Sequence, residues 1–574
     1  MTRDGATRRL CLFLVFAALA SPSIAAQGFA APADGAPPNI LLLIADDLGV
    51  DMVGAYHEHP DPAKTPVIDS LASQGLLFRN AYTNPSCCPS RAAMITGRDC
   101  RRTGFGFGTN WYKEGTELPL SEVCIPEALP PAYHSFAIGK WHLGSLKLSG
   151  PLHPNLQGFE HFRGSAAILP DFIGDAYYDW EKITDGVYSQ CTTYATTESV
   201  DDALELIQSA GSDPWFVWLA FHAPHAPFHK PPPNLHTYNL PLDIASHIPI
   251  HVKATTEAMD TEIGRLLTTL GPAVLANTYV IFVGDNGTAS LATTAPFDPN
   301  KAKNTVYEGG INVPLIVKGP GVATGECAAL VSSTDLFATI MQLTGSSATA
   351  DDSVSMVPYF SQPGLPSLRN SVYVELFQPN GFGAYSSRQR AVRGPKYKLM
   401  YGYTLSNLPT LQHFFDLQAD PWEKQDLLAG ALTPQQQAAY ADLAAQLAEP
   451  YIAWQSLADP VPGSNGAPVL TGLGQNLVAN APIALAVTKA KPGAPLMLVV
   501  GGENIGLYFK GGVLVPRPDF LYFFSVPGNG TLLLQSHWPA GMPAGFPILF
   551  QAWIQDAAAI YGWAGTNGLA ATGP

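Results

Sequence analysis

The run Asn39 to Asp47, NILLLIADD, is apolar for most of its length and then abruptly acidic. Continuous apolar runs of this size read as strands buried on both faces of a parallel sheet. HSFAIGKW, PWFVWLAFHAPH, TYVIFVGDNG and NVPLIVKGP share the layout, an apolar body with polar residues at its end. Between them, PVIDSLASQG, DALELIQSA, the segment from Val252 to Leu270 and STDLFATIMQLTG place apolar residues at helical spacing. This alternation predicts an α/β fold, a large sheet covered by helices on both faces. Polar residues gathered at strand C-terminal ends point to a site at that edge of the sheet.

From about Ser371 the pattern changes. SVYVELF and AVRGPKYKLMYGY read as antiparallel strands, and a Gln- and Ala-rich helix is expected from Pro434 to about Leu457. DPVPGSNGAP, Asp459 to Pro468, has the composition of a linker. APLMLVVGGE, FLYFFSVPGNGTLLLQSHW and PILFQAWIQD then give short strands with Gly and Pro turns. The expected organisation is a signal segment over 1–26, an α/β unit over 38–370, a small α+β subdomain over 371–458, the linker over 459–468 and an appended β-sandwich-like domain over 469–574.

Composition narrows the classes of partner. Of 574 residues, 31 are basic and 46 acidic, a net charge of −15, and no Lys/Arg run forms a patch that could follow a phosphate backbone. Nucleic acid is therefore excluded as an expected partner, and an anionic substrate needs local cations. Arg3, Arg8 and Arg9 precede an apolar run from Leu10 to Ala20 and small residues through Ala26, the layout of a secretory signal. That run is shorter than the roughly 18 to 20 residues that span a bilayer, so export to the periplasm or beyond is expected, with no stable membrane span. Arg8-Arg9 also suits twin-arginine export. Without Cys11 in the signal, six cysteines remain; their number permits disulfides and their wide spacing gives no disulfide scaffold.

Several elements carry candidate chemistry. Asp46-Asp47 at the end of a buried strand repel each other unless a cation lies between them, although a helix cap or a solvated loop would also account for them. Asp285-Asn286 in VGDNG stand at another strand end, where a plain turn is the alternative. Together these oxygen donors suit Ca²⁺ or Mg²⁺, and there is no Cys/His set for zinc. In GKWHLG, Lys140 and His142 are two apart in an extended segment, so both side chains are expected to point to one face. FHAPHAPF supplies His222 and His225, and KAKNTVYEGG supplies Lys303. Cys87-Cys88-Pro89-Ser90-Arg91 could offer a thiol nucleophile, with Arg91 lowering its pKa. A disulfide between the two neighbours would be strained.

The ordered set LLLIADDLG, C-x-P-S-R-x-x-x-x-T-G-R from Cys87 to Arg98, GKWHLG, APHAP, GDNG and K-x-x-x-Y-E-G-G from Lys303 resembles the sulfatases of the alkaline-phosphatase-like fold. The resemblance runs from about Pro38 to Leu457 and includes FFDLQADPWEKQDL. It implies that Cys87 is oxidised by a formylglycine-generating maturation enzyme to an aldehyde, present as a diol. One diol oxygen then attacks sulfur, and the other expels sulfate. It further implies one Ca²⁺ held by Asp46, Asp47, Asp285 and Asn286 together with residue 87. Arg91 would orient the diol, Lys140 and Lys303 would contact the sulfate, His142 would take the diol proton and His225 would protonate the leaving oxygen. His222 fits none of these roles and is expected to be structural.

The implied activity is hydrolysis of a sulfate monoester, an aryl sulfate or a sulfated carbohydrate. A phosphonate or phosphate ester hydrolase on the same fold, and an inactive binding protein on this scaffold, are the alternatives. The stretches Gly104 to Tyr133, Leu169 to Thr197 and His229 to His247 carry no readable substrate signature.

Overall fold

The expected strand at Asn39 forms as β1 (Asn39–Ala45), every residue of it buried. The computed structural model describes residues 36–572 except 113–115, 171–173, 382–384, 386, 405–406, 448–453, 474–476 and 543–545, so the signal segment 1–26 and Cys11 lie outside the described residues. β1 is central in a ten-stranded mixed sheet with β2 (Leu76–Tyr82), β3 (His134–Lys140), β4 (His161–Ser165), β5 (Trp180–Thr184), β6 (Val187–Cys191), β7 (Trp215–Ala220), β8 (Thr278–Gly284), β9 (Leu315–Lys318) and β10 (Gly325–Ser332). The strand order is β10-β2-β9-β8-β1-β7-β3-β4-β5-β6.

Strands β8, β1, β7 and β3 run parallel side by side, which brings their C-terminal ends to one edge. Alternate residues of β1 enter two cores. Leu41, Leu43 and Ala45 pack on one face, and Ile40, Leu42 and Ile44 on the other. Helices Ala195–Ser209 and Ile248–Leu275 cover the first face, and Cys87–Thr96 with Asp335–Thr344 the second. Each fully buried Leu or Ile of β1 contributes about 1.5 to 3 kcal/mol of transfer free energy, so this strand is a rigid base for the acidic pair at its C-terminal end.

The second core contains a buried histidine. Trp141 Nε1–H donates to His153 Nδ1 at 2.9 Å, and His153 Nε2 lies 2.9 Å from the Leu118 carbonyl, so the neutral ring satisfies both contacts. Burial pushes its pKa down to about 4. Because the folded value lies below the unfolded value of about 6.5, the group costs stability as pH falls from about 6.5 toward about 4, in total about 3 kcal/mol. Thermal unfolding followed from pH 7 to pH 4 is expected to show a shallower acid loss in His153→Gln than in the parent. Parallel curves would contradict this.

The antiparallel strands expected after Ser371 are β11 (Val372–Gln378), β12 (Ser387–Arg393), β13 (Tyr397–Thr404) and β14 (Asn407–Asp416), paired in that order. The following helix is Pro434–Leu447 and does not reach Leu457. Pro450 follows its last turn, and proline cannot supply the N–H a continuing helix requires. The chain instead forms β15 (Trp454–Leu457), which pairs with the last strand, β25 (Gly568–Thr572). The segment 459–468 is also tied down. Val461 exchanges both backbone hydrogen bonds with Gly565, and Ser464 donates its N–H and Oγ–H to Asp556. Composition signals turns but says nothing of such distant acceptors.

The C-terminal strands are β16 (Val469–Leu473), β17 (Pro482–Thr488), β18 (Pro495–Gly501), β19 (Asn504–Phe509), β20 (Gly512–Pro516), β21 (Phe520–Ser525), β22 (Leu532–His537), β23 (Pro547–Gln555) and β24 (Trp563–Gly565), followed by β25. One sheet is ordered β15-β25-β23-β18-β21 with β24 on β23, a second is β16-β17-β22, and β19-β20 is a hairpin. The described cysteines are all unpaired and buried. Among the described residues no helix is long and apolar enough to cross a membrane.

Candidate active site

Four strand ends and one helix N-terminus build the site. Asp46 and Asp47 follow β1, Asp285 and Asn286 follow β8, Lys140 ends β3, and His222 and His225 follow β7. Cys87 is the first residue of the helix Cys87–Thr96, all ten residues of which are buried. Ser90 Oγ–H is within 2.8 Å of the Asn84 and Ser86 carbonyls, which fixes the helix entry. Gly97, at φ 66°, closes the other end. Asp47 is itself left-handed, at φ 66°, and its backbone N–H donates to Asp285 Oδ1 at 3.0 Å. The two acidic strand ends are thereby locked in register.

The charged groups form a closed network. Lys140 Nζ is 2.5 Å from Asp46 Oδ2, and Lys303 Nζ is 2.5 Å from Asp47 Oδ1. Arg91 donates from Nε and Nη2 to Asp285 Oδ2 at 3.0 and 2.8 Å, and from Nη1 to the Lys140 carbonyl at 2.8 Å. Cys87 Sγ lies 3.4 Å from Asp46 Oδ1 and 3.5 Å from Lys303 Nζ. His225 Nε2 is 3.8 Å from Asp47 Oδ2, and its Nδ1 is 2.7 Å from the Ala226 carbonyl.

Burial would raise the Asp46 carboxyl, but Lys140, His225, Arg91 and Lys303 outweigh it and hold that group well below the usual range. Asp285 goes the other way, to about 7, because it is buried and faces Asp46. Burial and Asp46 push the Cys87 thiol well above its ordinary value. Burial, reinforced by Lys140 and Arg91, drives His142 far down and keeps it neutral. Its Nε2 is 3.1 Å from the Thr109 carbonyl, which can only accept, so the proton sits there and the buried Nδ1, without a partner among the described residues, is a free base.

A hard cation fits the donor set. One donor atom each from Asp46, Asp47, Cys87 and His225 lies within 4.8 Å of the others. Asp285 adjoins Asp47; its Oδ1, which accepts the Asp47 N–H, retains a lone pair, whereas Oδ2 accepts two bonds from Arg91. Asn286 Nδ2 lies 2.8 Å from Asp47 Oδ1, while its buried Oδ1 has no partner. Turning that amide by half a revolution exchanges the two atoms and presents an oxygen beside the Asp47 carboxylate, as an oxygen-seeking cation requires.

Every site residue expected from the sequence is therefore drawn into this cluster or, for His142, placed beside it. Lys140 and His142 do not share a face of an extended segment, however. The chain leaves β3 after Lys140, and His142 is left-handed at φ 59°; Cys88 Sγ–H, donating to the His142 carbonyl at 2.9 Å, helps to hold the turn. Two contributors had no legible signal. Thr109 anchors His142 through its main chain. Tyr177 OH reaches the His222 and His225 carbonyls at 2.7 and 2.9 Å and clamps the loop between them. His222, expected to be structural, is buried at the site, with Nε2 2.6 Å from Ser165 Oγ. A tyrosine in DAYYDW and a threonine in a glycine-rich loop look like ordinary core and turn residues until the fold assembles them.

The family profile described as Sulfatase matches residues 38–346, and that described as N-sulphoglucosamine sulphohydrolase, C-terminal, matches 300–451. The chain is 33% identical over 362 residues to the N-acetylgalactosamine-6-sulfatase of Homo sapiens, a match covering 57% of this chain and 66% of that protein. It is 29% identical over 465 residues to the arylsulfatase A of Bos taurus, covering 70% and 85%. The crystal structure of Ps i-CgsB superposes with a TM-score of 0.61 at 26% identity, over 72% of this chain and 92% of that one. The same protein in complex with k-i-k-neocarrahexaose gives a TM-score of 0.60 at 25% identity, with the same coverage.

Proposed function

This chain belongs to the sulfatase family of sulfuric ester hydrolases, and from that premise we propose that it is an exported, Ca²⁺-dependent enzyme cleaving a sulfate monoester at residue 87. The observation that carries the reading is the position of Cys87, at the buried start of a helix, between Asp46 at 3.4 Å and Lys303 at 3.5 Å. Matured to formylglycine, this residue would supply a diol in which one hydroxyl attacks sulfur and the other expels sulfate. A cation held by Asp46, Asp47, Asp285 and Asn286 would polarise a sulfate oxygen.

The chain's own residues then divide the work. Lys140 and Lys303 carry positive charge to the sulfate oxygens, where negative charge develops. Arg91, fixed on Asp285 and the Lys140 carbonyl, orients residue 87. His142, neutral and with a free Nδ1, is suited to accept a proton, and His225 presents Nε2 beside Asp47 to return one to the leaving oxygen. The names of the relatives and the complex with a neocarrahexaose support a sulfated carbohydrate as one substrate class, alongside aryl sulfates. The Leu10 to Ala20 run after Arg8-Arg9 supports export.

Purified from its native host, the protein is expected to hydrolyse 4-nitrophenyl sulfate at least about 100-fold faster in kcat/KM than 4-nitrophenyl phosphate or a phenylphosphonate monoester, a transition-state preference of about 3 kcal/mol. Faster turnover of either phosphorus ester would replace the sulfatase reading with the phosphohydrolase one. No turnover of any of them, with residue 87 still a thiol, would favour a binding protein.

A further inference from the structure

The two C-terminal sheets are unequal, and the inequality opens a cavity. In the larger sheet, β21 pairs with β18 in the register Val500↔Phe520, Leu498↔Tyr522 and Leu496↔Phe524. Phe520, Tyr522 and Phe524 therefore share the face that continues Leu496, Leu498 and Val500. Opposite them, β17 and β22 present Ile483 and Leu485 with Leu534. The facing sheet has three strands and the larger path five, so β21 extends beyond its cover. Phe520 is 61% and Tyr522 49% exposed although both face the sandwich interior. The space between the sheets measures about 1520 Å³.

None of the site's side chains is among the residues lining this groove, but one of its walls is linked to the site through the chain. Phe107 and Gly108 form part of that wall. The next residue, Thr109, donates its N–H to Cys88 Sγ at 3.3 Å and has its carbonyl 3.1 Å from His142 Nε2. One Cα step of about 3.8 Å thus separates groove wall from the strap that anchors the proposed base. Asn380 locks the strap by accepting from the Gly106 and Phe107 N–H groups, both at 2.8 Å.

We propose that the groove between β17–β22 and β18–β21 binds the long apolar chain of an amphiphilic sulfate ester whose anionic head occupies the site at Cys87. The position of the head rests on the sulfatase reading; the apolar class of the tail rests on the groove. Facing rows of Leu, Ile, Val and Phe suit an apolar chain, although Gln378, Asn380, Gln535, Ser536 and His537 also line the groove; no tryptophan lines it among the described residues. The rim cation Arg517 is held by two carboxylates, Glu503 and Asp519, whereas Lys140 and Lys303 are each paired with one that a bound cation would take over. The exposed inward rings need cover, and a flexible chain entering from the active-site side supplies it.

Two measurements test this. The first is binding of the apolar fluorophore N-phenyl-1-naphthylamine and its displacement by 1-dodecanol, with no turnover required. The second is kcat/KM for butyl, octyl and dodecyl sulfate below their micellar concentrations. Binding is expected to weaken at least about tenfold in the double variant Phe520→Ser/Tyr522→Ser. It is expected to hold in Leu521→Ser/Phe523→Ser, which alters the outward face of the same strand. Values of kcat/KM should rise with chain length by up to about fourfold per methylene. That slope should flatten in the inward variant while 4-nitrophenyl sulfate turnover stays unchanged. Equal effects of the inward and outward pairs, or a flat chain-length series in the parent, would overturn the proposal. If no sulfate were cleaved but dodecanol still displaced the probe from the inward face alone, the sulfatase reading would fall and the apolar site would stand.

Discussion

Cys87→Ala is expected to lower turnover of 4-nitrophenyl sulfate by about 10⁴-fold or more, the scale of losing a covalent nucleophile, while the thermal midpoint stays within a few degrees of the parent. The asymmetry has its origin in the contacts of the sulfur. Cys87 Sγ makes only long contacts, to Asp46 at 3.4 Å, Lys303 at 3.5 Å and Asp47 at 3.9 Å, so its removal leaves the charge network closed. Cys88→Ala should do the opposite. Its sulfur accepts the Thr109 N–H at 3.3 Å and donates to the His142 carbonyl at 2.9 Å inside the core, so its loss costs about 1 to 3 kcal/mol of stability and leaves turnover within about tenfold. Steady-state kinetics and thermal melts of both variants, with an aldehyde-specific label on residue 87 of the parent, check the pair. Equal kinetic losses would remove Cys87 from its proposed role.

The contrast between these neighbours also shows what a sequence can and cannot deliver. Cys87 and Cys88 are chemically identical, and only the C-x-P-S-R pattern separates them; the helix start then turns one toward the acids and the other toward Thr109. Asp46-Asp47 and Asp285-Asn286 were legible because apolar runs end on them, and parallel strands in a common sheet bring such ends together. Lys140 was legible for the same reason. His142 reached the site by a left-handed turn rather than by extension, which spacing alone does not encode.

The least legible parts depend on contacts distant in sequence. DPVPGSNGAP has the composition of a free linker, yet Val461 pairs with Gly565 and Ser464 bonds Asp556, partners about a hundred residues away. FLYFF is aromatic or aliphatic at every position, so its pattern cannot say which face is inward; the pairing with β18 decides it. The clamp by Tyr177 on the loop of His222 and His225 is likewise a product of topology.

Stripping the cation is expected to abolish turnover without unfolding the protein, because the acids carry their own counter-charges. Asp46, Asp47 and Asp285 are matched one for one by Lys140, Lys303 and Arg91 at 2.5, 2.5 and 2.8 Å. With Asp285 ionised the three acids and three bases balance, and both lysines are spent on that pairing. Asp46 and Asp47 would hold a divalent cation there, which would leave a surplus of two positive charges and make Lys140 and Lys303 available to an anionic ester. Turnover in excess EGTA should therefore fall by at least about 100-fold, with only a small drop in thermal midpoint, and Ca²⁺ should restore it. Lys303→Ala removes one internal counter-charge and leaves Asp47 buried without it, a loss of about 3 to 5 kcal/mol in EGTA. With Lys303 gone, Asp47 is free for the cation, so Ca²⁺ should bind this variant more tightly and at one concentration stabilise it more than the parent, by about 4 kcal/mol at a thousand times the variant's Kd. Melts of parent and variant with and without Ca²⁺ measure the difference. If chelation unfolds the parent, or Ca²⁺ shifts both proteins equally, the lysines are not the internal counter-ions of this site.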